Sequence, residues 1–152
     1  MDEACGREVV DLHVFLQDWL TGSIPREASV FARFEQVMGE GVQVVSPRGT
    51  LTNRADLLVE FEASHGALAE QADDFRIWVE NYRCVREMGD LALVMYEEWH
   101  QLGDDTSARL STVLFERNPV APNGVAWSHV HETWLPGQAP SAGERFPEPE
   151  AG

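Results

Sequence analysis

The sequence contains no lysine, and its eleven basic residues are all arginine. They are outnumbered by 26 acidic residues, which gives a formal net charge of -15 at neutral pH. A chain of this charge repels the phosphates of nucleic acids and of anionic lipids. We therefore expect neither nucleic acid nor a membrane surface among its partners. A strongly anionic small molecule is disfavoured as well, unless several arginines converge on it.

Cysteine is scarce, and no CxxC spacing is present, because Cys5 and Cys84 stand alone. This excludes the usual zinc-ribbon and thioredoxin-type motifs. No apolar run approaches the roughly 20 residues of a membrane span, and the acidic N-terminus has no secretory signal pattern. The sequence thus predicts a cytoplasmic protein with free thiols, no cofactor and no metal.

The length of 152 residues is that of one domain with its own core. After Leu135 the composition changes, because proline and glycine become frequent and large apolar residues almost disappear. We predict that residues 1–135 form one domain and that residues 136–152 form a flexible tail rich in proline and glycine.

Helical periodicity dominates the first half of the chain. Between residues 8 and 20, apolar side chains recur at spacings of three and four, which predicts an amphipathic helix that ends at Gly22. A second helix is predicted over residues 27–37, and a short strand over residues 42–47. A third helix is predicted to begin at Thr52 or Asn53.

The second half of the chain has the features of a β-meander. Long segments rich in β-branched and aromatic residues are separated by turns, of which Gly89-Asp90 is a two-residue hairpin turn. The predicted strands cover residues 75–88, 91–101, 108–117 and 125–135. Helices that precede a meander predict an α+β fold, with the N-terminal helices packed on the concave face of a strongly curved, mainly antiparallel sheet.

Three strings in this half resemble a known group of proteins. They are VREMGDLALV (85–94), RLSTVLFER (109–117) and WSHVHE (127–132). Their order and spacing resemble bacterial SnoaL-like proteins of the nuclear transport factor 2-like superfamily, which share a cystatin-like α+β cone. The closing strands also resemble the association domain of calcium/calmodulin-dependent kinase II. The resemblance covers residues 8–135 and implies a homodimer formed through the sheets and a conical pocket, but it implies no single activity.

Two residues are candidates for catalysis. His129 and His131 are two apart on a predicted strand, so that both point to the same face as Trp127. His131 is then a candidate proton acceptor, although a histidine bonded across strands, or a metal ligand supported by nearby acids, fits the same pattern. One carboxylate of the Glu97-Glu98 pair faces inward, and Glu97 is the second candidate.

Arginine and aromatic residues are candidates for the walls of a ligand pocket. Arg109 is suited to anchor a carboxylate or carbonyl group, and an ion pair across strands is the alternative. The other candidate pocket residues are Trp19, Phe15, Phe61, Tyr96, Trp99, Trp127 and His129.

Three functions are compatible with these features. The first is binding of a small apolar or carboxylated molecule in a conical pocket. The second is an enzyme of the isomerase, cyclase or dehydratase type, in which His131 or an inward glutamate accepts a proton. The third is a homo-oligomerisation or interaction module.

Overall fold

The computed structural model describes residues 1–140, which form helices and one six-stranded sheet. The helices are α1 (Asp2–Thr21), α2 (Ala28–Val37) and α3 (Arg54–Ala63), followed by a 3₁₀ helix (Ala69–Asp74). The strands are β1 (Gln43–Val45), β2 (Leu51–Asn53), β3 (Phe75–Met88), β4 (Leu91–Leu102), β5 (Asp105–Arg117) and β6 (Val125–Trp134). The predicted α+β fold is thereby confirmed, whereas most of the predicted tail, residues 141–152, lies outside the described residues. Within residues 1–140, no helix is both long and apolar enough to cross a membrane.

The first helix is longer than its apolar stripe predicts. It begins at Asp2, because Asp2 and Glu3 occupy the first turn, where carboxylates interact favourably with the unpaired amides of a helix N-terminus. It ends at Gly22, whose φ of 76° is the left-handed conformation expected at this cap. The buried side of α1 packs mainly along β3 and also reaches β4 and β6, so that side chains of α1 lie over the middle of the sheet.

The sheet has the strand order β2-β1-β6-β5-β4-β3. The long strands β3 to β6 form the predicted antiparallel meander, and β1 adds to β6 in parallel. The additional strand β2 pairs with β1 and was not predicted, because three residues are too few to show a period. It leads directly into α3, where the Asn53 side chain accepts a hydrogen bond from the Asp56 amide, as its sequence predicts.

The alternation along β4 separates an inner from an outer sheet face. Tyr96, Glu98 and His100 are buried on the inner face, towards the helices, whereas Glu97 and Trp99 are half-buried on the outer face.

A bulge determines which side chains of β6 face inward. Leu114 pairs with His129, but Phe115 pairs with Trp127, so that Ser128 is an additional residue in β6. Trp127 therefore faces the helices, and beyond the bulge the inward residues are Val130 and Glu132. His129 and His131 face outward.

A buried carboxylate holds α1 to two other parts of the fold. The Glu8 side chain on α1 is fully buried. It accepts hydrogen bonds from Arg33 of α2 at 2.7 Å, from the Asn123 amide at 3.0 Å and from the Trp127 indole at 2.9 Å. These three donors compensate for the desolvation of the charge and connect α1 to α2, to the β5–β6 loop and to β6.

Candidate functional site

A cavity of about 120 Å³ lies between the helices and the inner face of the sheet. Its apolar wall comes from all three helices and from strands β1, β3 and β6. It includes Leu12, Leu16, Phe34, Leu57, Phe61 and Val130. The polar residues of the lining are His13 of α1 and five side chains of the inner sheet face: Tyr96, Glu98, His100, Arg109 and Glu132.

Two histidines bind the same buried carboxylate in this cavity. His13 Nε2 lies 2.8 Å from Glu98 Oε1, and His100 Nε2 lies 2.5 Å from Glu98 Oε2. His13 Nδ1 is 2.6 Å from the carbonyl oxygen of Val9. Because a carbonyl oxygen only accepts, Nδ1 carries a proton, and so the His13–Glu98 contact is either an imidazolium with a carboxylate or an imidazole with a carboxylic acid.

The surroundings favour the ionic form of this pair. Burial opposes the ionisation of Glu98, but His13 and His100 together outweigh it and hold the pKa of Glu98 well below its usual range. Burial likewise opposes the protonation of His13, yet Glu98 and the Val9 carbonyl raise its pKa. The pKa of His100 is lowered, mainly by burial. These directions favour an ionised Glu98 and a protonated His13 over the neutral pair, and they disfavour a second charge on His100.

A second polar group lies on β4, β5 and β6 beside this cluster. Arg109 Nη1 donates to Glu132 Oε1 at 3.1 Å, and the Ser111 hydroxyl donates to Glu132 Oε2 at 3.1 Å. The Tyr96 hydroxyl is hydrogen-bonded to Ser111, and burial is the main cause of its strongly raised pKa. The two cations of the lining, His13 and Arg109, are thus each paired with a carboxylate, so that the polar wall is close to neutral.

Four of the residues predicted from the sequence line this cavity: Phe61, Tyr96, Arg109 and Trp127. Phe15 and Trp19 are buried next to it and stack on each other with ring centroids 5.7 Å apart, in an aromatic cluster with Phe34 and Phe61. They belong to the packed core behind the cavity wall.

The structure does not bring the remaining predicted residues to the cavity. His129 and His131 lie on the outer face, because the bulge at Ser128 reverses the alternation that would have placed them beside Trp127. Glu97 and Trp99 also lie on the outer face, where the Trp99 indole donates to Glu97 at 3.0 Å. The inward carboxylate of the Glu97-Glu98 pair is Glu98, which corrects the placement of Glu97 at the site.

Two polar residues of the cavity lining, His13 and Glu132, were not singled out from the sequence, and neither was Ser111, which donates to Glu132. For His13 a signal exists, since it is an ionisable residue adjacent to the apolar stripe of α1, beside Leu12 and Leu16. No comparable signal marks Ser111 or Glu132, because their inward direction depends on the register of β5 and β6.

The cavity residues do not form a recognisable metal centre. Across residues 1–140, no group of three or more His, Cys, Asp or Glu side chains is arranged to hold a metal ion. The Nε2 atoms of His13 and His100 are instead turned to the two oxygens of one carboxylate. What this arrangement offers is a set of buried hydrogen-bonding groups beside an apolar wall.

Comparison with solved structures confirms the predicted fold relationship. An NTF-2 like protein of unknown function from Pseudomonas aeruginosa superposes with a TM-score of 0.74 at 25% identity, over 87% of this chain and 98% of that protein. A putative Ca/calmodulin-dependent kinase II association domain from Exiguobacterium sibiricum gives a TM-score of 0.50 at 15% identity, over 82% and 85% of the two chains. At the latter identity the likeness shows the fold alone.

Comparison with known sequences assigns the chain to a narrower group than the shared fold does. Sucrose-phosphatase 2 of Nicotiana tabacum is 31% identical over 135 residues, which are 88% of this chain and 31% of that protein. The chain thus spans about a third of the length of the curated relatives it matches. The family model described as sucrose-6-phosphate phosphohydrolase C-terminal matches residues 5–136. With most of its length matched, the chain belongs to the sucrose-6-phosphate phosphohydrolase C-terminal family.

Proposed function

We propose that this chain binds a small neutral molecule in the cavity between its helices and its sheet. The apolar body of the ligand contacts the helical wall, and its polar end contacts the inner sheet face. The observation that carries this proposal is the combination of an apolar cavity with buried charges that already neutralise one another. A carboxylated ligand is less well matched, because Glu132 already pairs with Arg109 and two carboxylates lie in the same wall.

The cavity volume limits the size of the ligand. An apolar cavity of about 150 Å³ is known to accept benzene, so a volume of about 120 Å³ fits roughly one six-membered ring. A disaccharide phosphate has roughly four or more times as many heavy atoms as benzene, so this volume would hold only a part of it. Its phosphate would also meet an acidic protein without an unneutralised arginine among the cavity residues described above. The proposed ligand is therefore not the sugar phosphate named in the family description.

Filling the cavity tests this proposal. Val130→Phe adds a ring to the cavity wall, and we expect it to weaken the binding of ring-sized neutral fragments by roughly tenfold or more. Binding is measured by NMR titration of the full chain with fragments of roughly six to eight heavy atoms. Because overpacking costs about 1–3 kcal/mol, the melting temperature of the variant is measured in parallel.

The matched control is Val120→Phe, at a position that is 88% exposed on the β5–β6 loop. We expect this variant to bind the fragments like the parent chain. Unchanged affinity in a folded Val130→Phe protein would place the binding site outside the cavity.

Proton transfer is the alternative use of the same cavity. The sequence predicted Glu97 or His131 as the proton acceptor, but the ionisable groups that line the cavity on these elements include Glu98 and His13 instead. A general base works best with a pKa near the operating pH, but the pKa of Glu98 is held far below it. Both nitrogens of His13 are hydrogen-bonded to other groups. These properties favour binding over catalysis.

We also propose that two copies of the chain associate through the outer sheet face. The outer sheet face carries a patch of apolar side chains with a few charged groups among them, since Glu80 and Glu97 accept hydrogen bonds from the indoles of Trp78 and Trp99. Burial of its apolar area between two copies would favour association. Trp78 and Trp99 stack there with ring centroids 6.0 Å apart. Beside them lie half-buried aliphatic side chains, namely Leu93, Met95, Leu110 and Leu114.

Introducing a charge into this patch tests the association. We expect Leu114→Glu to convert a dimer into a monomer in multi-angle light scattering, because each interface would bury two unpaired carboxylates. Leu51→Glu is the matched control, since Leu51 is 52% exposed on β2, away from the patch. A parent chain that is monomeric, or a Leu114→Glu variant that stays dimeric, would contradict this arrangement.

A further inference from the structure

The two histidines of β6 have no partner inside the fold. Regular pairing with β5 continues from His129 to His131, so that both imidazoles lie on the outer side of the strand. His131 is exposed and His129 is half-buried. Neither ring forms a hydrogen bond, an ion pair or a ring contact with another of the residues 1–140. Their nitrogens are therefore available to a ligand from outside the chain.

The spacing of the two rings is suited to a chelating pair. The Cα atoms of alternate residues on a strand are about 6.6–6.8 Å apart. Two imidazole nitrogens bound to one tetrahedral zinc ion are each about 2.0–2.1 Å from the metal, and so about 3.3–3.4 Å from each other. Rotation about the side-chain bonds tilts two rings on the same side towards each other and closes this gap. Imidazole is a ligand that zinc, copper and nickel accept well.

One chain alone supplies too few ligands for such an ion. Zinc bound by protein side chains is tetrahedral, with three or four protein ligands. In the part of the chain that the structure describes, no group of three or more His, Cys, Asp or Glu side chains is arranged to hold a metal. The cross-strand neighbours of the pair on β5 are Thr112 and Leu114, which offer no strong ligand. The missing ligands therefore have to come from another molecule.

The outer sheet face is where a second copy supplies them. Leu114 belongs to the apolar patch proposed above as the contact between two copies, and it pairs directly with His129. A two-fold axis beside this position places the same two histidines of the second copy opposite the first two. Each copy carries a net charge of -15, so a divalent cation between them also reduces their mutual repulsion.

We infer that His129 and His131 of two copies together bind one zinc ion, an inference that rests on the association through the outer sheet face proposed above. The four imidazoles complete a tetrahedral site that neither copy forms alone. Because the metal binds only the associated form in this way, zinc stabilises the dimer.

Cobalt provides a direct test of the coordination. Co²⁺ replaces zinc in tetrahedral sites and then absorbs visible light strongly, whereas hexahydrated Co²⁺ absorbs weakly. The full chain is freed of metal with EDTA, dialysed and titrated with cobalt chloride at neutral pH. We expect an intense visible band that saturates at one cobalt per two chains. Saturation at one cobalt per chain, or a weak spectrum like that of the aqueous ion, would overturn the shared site.

Sedimentation equilibrium measures the coupling to association. The chain is centrifuged in EDTA and in zinc at several protein concentrations. We expect zinc to lower the dissociation constant of the dimer by roughly tenfold or more. An equal dissociation constant in both buffers would contradict a metal shared between copies.

Single substitutions locate the ligands. We expect His131→Ala and His129→Gln each to abolish the cobalt band and the effect of zinc, with little change in melting temperature for the exposed His131. Thr133→Ala is the matched control, because Thr133 is exposed at the next outward position of β6 and both imidazoles remain. A parent-like cobalt band in both histidine variants would place the metal elsewhere and overturn the inference.

The results also separate this inference from the association beneath it. A chain that is dimeric in EDTA and gives no cobalt band overturns the zinc site and leaves the association standing. A chain that is monomeric in both EDTA and zinc contradicts the association, and the shared site fails with it. A chain that is monomeric in EDTA and dimeric in zinc supports the site and shows that the apolar patch does not hold the dimer by itself.

Discussion

Replacing Glu8 by glutamine is expected to lower the free energy of unfolding by about 3–5 kcal/mol, the cost of removing one partner of a buried ion pair. The neutral amide leaves the Arg33 guanidinium without its carboxylate and turns an N–H₂ group towards donors that need an acceptor. Since a domain of this size is stabilised by only about 5–15 kcal/mol, the variant would be close to unfolding. Urea denaturation monitored by tryptophan fluorescence measures the change.

The same substitution at an exposed ion pair provides the control. Glu62 accepts two hydrogen bonds from Arg26, at 2.9 and 3.0 Å, and both side chains are solvent-exposed. Exposed pairs contribute at most about 1 kcal/mol, so Glu62→Gln should lower the free energy of unfolding by no more than that. Equal losses for the two variants would mean that the burial of Glu8 is not the source of its effect.

Glu98→Gln is expected to have a comparable effect, and its size should depend on pH. The folded-state pKa of Glu98 is lowered, so its contribution is complete above the unfolded value of about 4.3 and is lost as the pH falls through the lower folded value. The folded-state pKa of His13 is raised, so its contribution is complete below the unfolded value of about 6.5 and is lost as the pH rises through the higher folded value. The cost of the substitution should therefore be greatest, at about 3–5 kcal/mol, between about pH 4.3 and 6.5.

The control for this prediction is the adjacent residue. Glu97→Gln makes the same chemical change on the outer face of the same strand, where Glu97 accepts hydrogen bonds from Trp99 and Asn81. The glutamine oxygen still accepts one of these bonds, so we expect a loss of about 1 kcal/mol or less without a maximum in this pH range. A pH-independent cost for Glu98→Gln would contradict the ionic His13–Glu98 pair.

Local sequence patterns were sufficient for most of the architecture. The spacing of Val9, Leu12 and Phe15 predicted the first helix, and Gly22 predicted its end, because both depend on residues within one or two turns. The hairpin at Gly89-Asp90 was predicted for the same reason. The missed strand β2 is only three residues long, and it is held mainly by its pairing with β1, which is a partner elsewhere in the sequence.

The candidate site was less accessible to such reasoning. Tyr96 and Arg109 were placed at the cavity because regular alternation continues through β4 and β5. The same rule failed for His131. Ser128 is an additional residue in β6, so that beyond this bulge the residues that regular alternation would turn inward face outward. The sequence pattern does not identify Ser128 as a bulge residue, because a bulge is defined by the pairing of two strands.

By itself, the sequence determined the net charge of the chain, the order of its helices and long strands, and the helix-then-meander arrangement that produces a cavity. These properties depend on composition and on neighbours a few residues apart. Only the tertiary structure decided which ionisable groups meet in the cavity: His13 and Glu98 are 85 residues apart and come together because α1 lies across the inner face of the sheet. Their contact depends on strand register and helix packing, which are set by the fold as a whole and not by any local pattern.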